Sequence, residues 1–346
     1  MSALVVPSAA GLYCPAGDFY IDPVKKVPRA VLTHAHADHA RPGMGQYWAA
    51  RPGEGLLKIR LGRNAPLTSL DYGERLQLGA ATISLHPAGH VLGSAQVRIE
   101  VAGEVWVVSG DYKRCPDPSC APFEVVPCDT FVTEASFARP DFCWQPPAEV
   151  VREIFDWWRQ CQAEGRTAVL FCYALGKAQR ILAELAALTN ETVLLHAAMT
   201  PLVKAYRQAG VTMLPTEPVG DRPKGTSFAG RLVLAPPGAG GTPWMRRFAP
   251  YSTALASGWM QLQGTPRRAA YERGFVLSDH SDWPGLVRSI EETGARRVLV
   301  MHGRSEALVA HLRERGIAAA ALEPEPGLEA GTAVSGFAEI TEGANA

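Results

Sequence analysis

The sequence predicts an α/β protein of two domains, and three observations lead there. The chain has 346 residues, more than one ordinary domain holds. Short runs rich in Val, Leu and Ile alternate with stretches whose apolar residues recur at helical spacing. Gly and Pro mark the joins and thicken between Thr216 and Thr242. Apolar residues make up 47% of the chain, enough for a substantial core. Lys plus Arg number 34 and so do Asp plus Glu, so there is no global basic field. A nucleic-acid ligand would need a local basic groove. No apolar run approaches the ~20 residues of a membrane span. The opening "MSALVVPSAAGLYCP" lacks the basic region and long apolar stretch of a secretory signal. The seven cysteines are odd in number and scattered, which argues against a disulfide framework. These features lead us to expect a cytoplasmic protein with no membrane partner.

The elements follow in order. "WVVSGD" reads as a buried strand ending at Asp111, and "TFVTEASF" as another ending near Glu134. "PPAEVVREIFDWWRQCQAEG" carries Val150, Val151, Ile154, Phe155 and Trp158 at helical spacing, with Gly165 as its stop. "TAVLFCYA" is a strand and "GKAQRILAELAAL" a helix; "TVLLH" is a strand and "TPLVKAYRQAG" a helix. The Gly/Pro-rich stretch holds one strand, "RLVLAPP". A last unit follows: strand "ERGFVLSDH", helix "WPGLVRSIEETG", strand "RRVLVMHG" and helix "SEALVAHLRERG". There is no internal repeat and no low-complexity tract.

Chemistry concentrates in "VLTHAHADHA". His34, His36, Asp38 and His39 fall within six residues after an apolar pair, although the whole chain has only nine histidines. They cannot share one regular face. A tight turn after a strand could aim two at one metal and two at another, and the small alanines between them let the backbone turn sharply. Imidazole and carboxylate suit zinc, and also manganese or iron. Four residues cannot fill two sites. His90 in "PAGHVLGS", Asp111 in "VVSGDY" and His302 in "VMHGRS" stand in loops or at strand ends, where α/β folds build sites.

"THAHADHA", "AGHVLGS" and "SGDY", in that order, resemble the successive metal motifs of the metallo-β-lactamase fold. "TEASF", "SDHSD" and "MHG" resemble the added motifs of its β-CASP branch, the nucleic-acid-cutting subset, as does "YALGKAQR". "GLYCPAGDFYID" and "GDYKRCPDPSCAPFEVVPCD" are similar to the bacterial ligase-associated DNA exonucleases, kin of the Artemis and cross-link-repair nucleases. The resemblance covers nearly the whole chain. It implies an αββα sandwich formed by residues 1–139 and 271–346, with a β-CASP α/β domain inserted at 140–270.

The same resemblance implies two divalent metals, zinc or alternatively manganese. One would be held by His34, His36 and His90, the other by Asp38, His39 and His302, with Asp111 bridging them. Asp22, in "YIDP", would support the ligand turn from behind. Such a pair supplies a nucleophile at neutral pH and relieves charge on the phosphoryl oxygens. His280 would protonate the leaving oxygen, and Glu134 would orient its ring and favour its charged form. Asp38 joins His280 and Glu134 among the implied catalytic residues.

Lys177, after Gly176 at a helix start, and Lys113 and Arg114, just past Asp111, are expected to meet phosphates. "WMRRF", Trp244 to Phe248, mixes Arg with aromatics in a way that suits stacking on single strands, or equally packing at a core edge. Cys14, Cys115, Cys120 and Cys128 lack the spacing of a zinc motif and read as buried thiols. His86, His196 and His311 have no motif around them and read as structural.

The expected function is a metal-dependent DNA exonuclease in DNA repair, functionally associated with a DNA ligase and a helicase. His302 departs from the Artemis-like DNA enzymes, which usually carry an apolar residue there, whereas RNA-processing members carry histidine. An RNA 3′-end-processing or decay nuclease of the same fold is therefore an alternative. A metal-bound scaffold without activity is another.

Overall fold

Apolar strands flanked by tight turns define the start of the chain. In the computed structural model, which describes residues 3–223, 225–264 and 266–322, these strands form a six-stranded sheet in sequence order. They are β1 (Val6–Ser8), β2 (Gly11–Cys14), β3 (Phe19–Ile21), β4 (Arg29–Val31), β5 (Gln46–Ala50) and β6 (Leu67–Leu70). β1 to β3 pair antiparallel, and β3 to β6 pair parallel. Helix α1 (Glu54–Leu61) makes the crossover from β5 to β6 and buries Leu56 and Leu57. An antiparallel meander follows: β7 (Leu76–Leu78), β8 (Ala81–Pro87), β9 (Ala95–Val101) and β10 (Glu104–Val108). β11 (Thr130–Ala135) then lies parallel to β10, buried at every position.

A second α/β unit comes next. Helix α2 (Pro147–Ala163) starts at a proline whose fixed φ suits a first turn. It buries Val150, Val151, Ile154, Trp157, Trp158 and Cys161. The strands are β12 (Thr167–Phe171), β13 (Val193–Leu195), β14 (Thr216–Pro218), β15 (Leu232–Ala235), β16 (Tyr251–Ala256) and β17 (Arg273–Phe275). All pair parallel, in the order β14-β13-β15-β12-β16-β17. β12 and β15, inside the sheet, are buried throughout, as strands covered on both faces must be. Helices α3 (Lys177–Leu185), α4 (Thr200–Gln208) and the single turn α5 (Pro266–Ala269) complete the unit.

The chain closes the first unit with α6 (Trp283–Thr293), β18 (Arg297–Gly303), α7 (Glu306–Glu314) and β19 (Ala318–Ala321). Asp282 caps α6 by accepting from the Gly285 N–H at 3.0 Å, and Gly294 ends it in the left-handed region. β18 pairs parallel with β11, giving a seven-stranded sheet in the order β19-β18-β11-β10-β9-β8-β7. One core joins the two sheets face to face: Ile21 and Val31 from the first, Ile83, Val97 and Trp106 from the second. On its other face, the second sheet sets Val107, Phe131, Val298 and Val300 against Leu286 and Ile290 of α6 and Leu308 and Leu312 of α7.

The compact units divide slightly differently from expectation. One comprises 3–116, 120–143 and 280–322, and the other 117–119 and 144–279. The expected joins lay at 139/140 and 270/271. Residues 271–279 stay with the second unit because β17 pairs with β16. Residues 140–143 stay with the first because Phe142 accepts from the Trp283 N–H at 3.0 Å. The expected strand over Glu272–His280 is confined to β17, and the chain leaves the sheet before Ser278. Residues 1–2 and 323–346, assigned to the first domain from sequence, lie outside the described residues. Among the described residues no helix is long and apolar enough to cross a membrane.

Candidate metal centre

The histidine turn begins where β4 stops. Asp22, at φ 45° just past β3, points its carboxylate at this turn. Its Oδ1 accepts from the Thr33 N–H at 2.8 Å, and its Oδ2 from the Thr33 hydroxyl at 2.5 Å. The same Oδ2 lies 2.7 Å from His39 Nδ1. A carboxylate only accepts, so His39 carries its proton on Nδ1 and keeps Nε2 for a metal. Thr33 passes the constraint on. Its hydroxyl proton is committed to Asp22, so its oxygen accepts from His34 Nδ1 at 3.0 Å. His34 Nε2 is thereby left as a bare lone pair.

Other ring nitrogens stand around that lone pair. His34 Nε2 lies 3.0 Å from His36 Nδ1, and His90 Nε2 lies 3.1 Å from the same atom. Asp111 Oδ2 is 3.6 Å from His34 Nε2 and 3.8 Å from His90 Nε2. All four residues are buried. Ligand nitrogens on a tetrahedral zinc with bonds of ~2.0–2.1 Å stand about 3.3 Å apart. The observed spacings straddle that value, so the donor set fits a divalent metal in chemistry and in size. Burial holds the His34 pKa well below the usual histidine value, which suits a neutral ligand.

His39 reaches the opposite condition. Its Nε2 is 3.5 Å from Asp111 Oδ2 and 3.6 Å from Asp38 Oδ2. Burial alone would lower its pKa, but the carboxylates of Asp111 and Asp22 outweigh it and hold the value well above the usual range. Burial would likewise raise the Asp111 carboxyl. His39, with His280 and His34, instead keeps it well below the usual carboxylate range. This corner is built for positive charge. The His302 ring comes within 5.7 Å of His39, centroid to centroid. His302 is exposed, at φ 52° near the end of β18, and the following Gly303 is at φ 131°. A Cβ on Gly303 would sit 2.2 Å from the Ala135 carbonyl oxygen, so only glycine lets β18 approach β11 there. Gly110, at φ 57°, has the same role before Asp111: its Cβ would meet the Thr33 side chain at 2.6 Å.

Beside this cluster stands a second pair. Glu134, 1% exposed, receives His280 Nδ1 at 3.0 and 2.9 Å from its two oxygens, and the Tyr112 N–H at 2.8 Å. The His280 ring packs 4.7 Å from that of His90. Asp111, Glu134 and His280 also lie within ligand distance of one another, so the geometry alone permits His280 a ligand's role as well as an acid's.

The structure thus gathers His34, His36, His39, His90, Asp38, Asp111, Glu134, His280 and Asp22 in one place, with His302 at its edge. It does not bring the expected phosphate contacts to the surface. Lys113 is 1% exposed. Lys177, 2% exposed, holds Asp279 Oδ2 at 2.9 Å. Arg114 is tied to Glu292 at 2.7 Å and Ser289 at 3.1 Å, over the Phe123 ring. For these three residues the sequence shows the charge but not its depth. In the stretch Trp244 to Phe248, Met245 and Phe248 are buried and Trp244 packs on Phe248 at 4.6 Å, the core-edge alternative. His86 lies between Ser84 and Glu124, and His196 caps a turn at Ala197–Met199. The cysteines form no disulfide, and none joins a metal-spaced group among the described residues. Sequence reasoning missed Thr33, which links Asp22 to His34, and Ser94, whose hydroxyl accepts from the His90 N–H at 3.0 Å. A hydroxyl directly before the first ligand was the available signal.

Comparison with known proteins adds to this geometry. No family model matches the chain. A probable DNA ligase of Opitutus terrae is 31% identical over 324 residues, covering 93% of this chain and 31% of that protein. Ribonuclease TTHA0252 of Thermus thermophilus is 32% identical over 196 residues, covering 47% of this chain and 44% of that protein. The chain therefore spans less than half the length of these relatives. The crystal structure of a protein of unknown function from Enterococcus faecalis V583 matches with a TM-score of 0.61. That match is at 14% identity over 86% of this chain and 80% of the other, a likeness of fold. The fold is α/β, a metallo-β-lactamase αββα sandwich with an inserted β-CASP α/β domain.

Proposed function

We propose that the chain is a metal-dependent nuclease that hydrolyses phosphodiester bonds in DNA as an exonuclease, in DNA repair. The observation that carries the chemistry is the Glu134–His280 pair packed against the histidine–aspartate cluster. His34, His36 and His90 would hold one metal, His39, Asp38 and His302 a second, with Asp111 between them. Two such ions would supply a nucleophile at neutral pH and neutralise charge on the phosphoryl group.

The chain's own residues account for the remaining step. Glu134 takes the Nδ1 proton of His280 in a hydrogen bond, so Nε2 is the atom that hands a proton to the departing oxygen. Tyr112 N–H holds Glu134 in turn, which fixes the ring's orientation before substrate arrives. The intact cluster and His280 speak against a scaffold that lacks activity.

DNA is favoured by the relative named a probable DNA ligase, in which a segment equivalent to nearly this whole chain shares one polypeptide with the rest of that protein. The same observation supports functional association of this chain with a DNA ligase. RNA is the second reading, favoured by His302 and by the relative named a ribonuclease. Purified protein loaded with zinc or manganese and given end-labelled single-stranded DNA and matched RNA tests both. Progressive shortening of DNA is expected. Degradation of RNA with DNA left intact would replace the first reading with the second.

A further inference from the structure

Lys113 and Lys177 are almost fully buried and Arg114 is tied to Glu292, so exposed cations elsewhere are better placed to meet a phosphate backbone. We propose that Lys25, Lys26 and Arg41 form a strip that grips the phosphodiester backbone of a nucleic-acid strand beside the candidate metal centre. The inference rests on the nuclease reading above and names where that substrate is held.

Position is the first argument. Lys25 and Lys26 follow Asp22 by three and four residues, and Arg41 follows His39 by two. A chain spans at most ~3.6 Å per residue, so their Cα atoms lie within about 14 Å and 7 Å of those site residues. Rigidity is the second. Arg41 Nη1 donates to the Val24 carbonyl at 3.4 Å, which joins the two loops. The Gly45 N–H donates to the Val27 carbonyl at 3.0 Å, and the Val27 N–H to Met44 Sδ at 3.3 Å. The hydroxyl of Tyr47, a residue 1% exposed, donates to the Arg41 carbonyl at 2.9 Å and accepts from the Met44 N–H at 2.8 Å. The loops are preorganised before any ligand binds.

Charge is the third argument. All three residues are exposed, and none makes an ion pair among the described residues. Three like charges on adjoining loops repel one another, and a polyanion relieves that repulsion while releasing its own counterions. Lysine supplies point charges and arginine a fork suited to phosphate oxygens.

The test is binding of a labelled single-stranded oligodeoxynucleotide, and of RNA of the same sequence, by the full chain loaded with zinc. Anisotropy is read across ~50–200 mM salt. In the triple variant Lys25→Gln, Lys26→Gln, Arg41→Gln, the plot of log affinity against log salt should become shallower by about 2, at ~0.7 per lost phosphate contact. Affinity at low salt should fall on the order of 10²-fold. Metal content and thermal unfolding of the variant show that it is folded. The charge-keeping variant Lys25→Arg, Lys26→Arg, Arg41→Lys should retain the wild-type slope. DNA and RNA should change alike, because the strip meets the backbone they share; a change on only one overturns it. Intact binding with an unchanged slope overturns the strip alone. No binding to either strand by the unaltered protein overturns the nuclease reading and the strip together.

Discussion

Two buried polar clusters in this molecule solve the problem of buried polarity in opposite ways. In the first unit, ring nitrogens of His34, His36 and His90 face one another at 3.0 and 3.1 Å, with second-layer bonds arranged to keep a lone pair on His34. In the second, Lys177 and Arg180 hold the two oxygens of Asp279 at 2.9 and 3.2 Å. Arg180 also donates to the Ser278 carbonyl at 2.7 Å and pairs with Glu184 at 2.7 Å. Both clusters are almost fully buried. The second is complete, since each cation has its carboxylate. The first gathers ring nitrogens at metal-ligand spacing around the open lone pair of His34, an arrangement that suits a cation from outside. Burial of polar groups therefore does not mark a site. What marks one is a set of ligand atoms at metal spacing, with a lone pair that the surrounding hydrogen bonds keep open.

The sharpest way to break the comparison is Asp111→Ala. Asp111 Oδ2 sits between His34, His39 and His90 at 3.5 to 3.8 Å. The unaltered protein should carry about two divalent ions per chain, as dinuclear phosphodiesterases do. The variant should carry fewer than one and lose cleavage altogether, while the Arg180 cluster is untouched. Elemental analysis decides; full metal content would end the bridging assignment.

Next in size is His280→Ala. If His280 is an acid and not a ligand, metal content stays at the wild-type level and cleavage falls by ~10²–10⁴-fold. A phosphorothiolate at the scissile bond, whose leaving group needs less protonation, should recover much of that loss. Metal loss, or no recovery, would make His280 a ligand, the role its distance to Asp111 also permits.

These residues were legible in the sequence because candidate ligands come in short motifs at strand ends, and the turn from His34 to His39 concentrates four of them. Fold class was legible for a related reason: period and punctuation are local signals. What was not legible is depth. Lys113 follows Asp111 by two residues and Lys177 follows Gly176 at a helix start, yet both are buried. Their burial depends on neighbours distant in sequence, such as Asp279 for Lys177. Thr33 shows the converse. It stood in plain view before His34, but its role appears only when Asp22, eleven residues earlier, is folded against it.

Arg180→Met tests the second cluster. It removes the cation beside part-buried Glu184 and the buried Asp117 side chain and leaves Asp279 with Lys177 alone, which should cost on the order of 3 kcal/mol of stability. The fall should be seen as a lower urea midpoint with and without a chelator present, because no metal is part of this cluster's balance. A loss below ~1 kcal/mol would mean that solvent or a neighbour repairs the charge.

The smallest and most specific effect is expected from Asp22→Asn. The amide has the shape of the carboxylate, so packing is kept. One of its two ends must still accept from the Thr33 N–H, now met at 2.8 Å by Oδ1. The other end becomes an NH₂ group where Oδ2 stood, 2.7 Å from His39 Nδ1. An NH₂ donates, so His39 must accept there and move its proton to Nε2, the nitrogen nearest Asp38 and Asp111. A proton on Nε2 occupies the lone pair that a metal would use. The Thr33 hydroxyl also loses its acceptor and turns elsewhere, which loosens His34. Metal affinity should therefore fall by ~10–100-fold, the usual cost of losing such a supporting carboxylate. The loss should be larger at the His39 position than at the position formed by His34, His36 and His90. Competition against a chromogenic chelator resolves two affinities. Equal losses at both, or none, would show that Asp22 does not set the His39 tautomer.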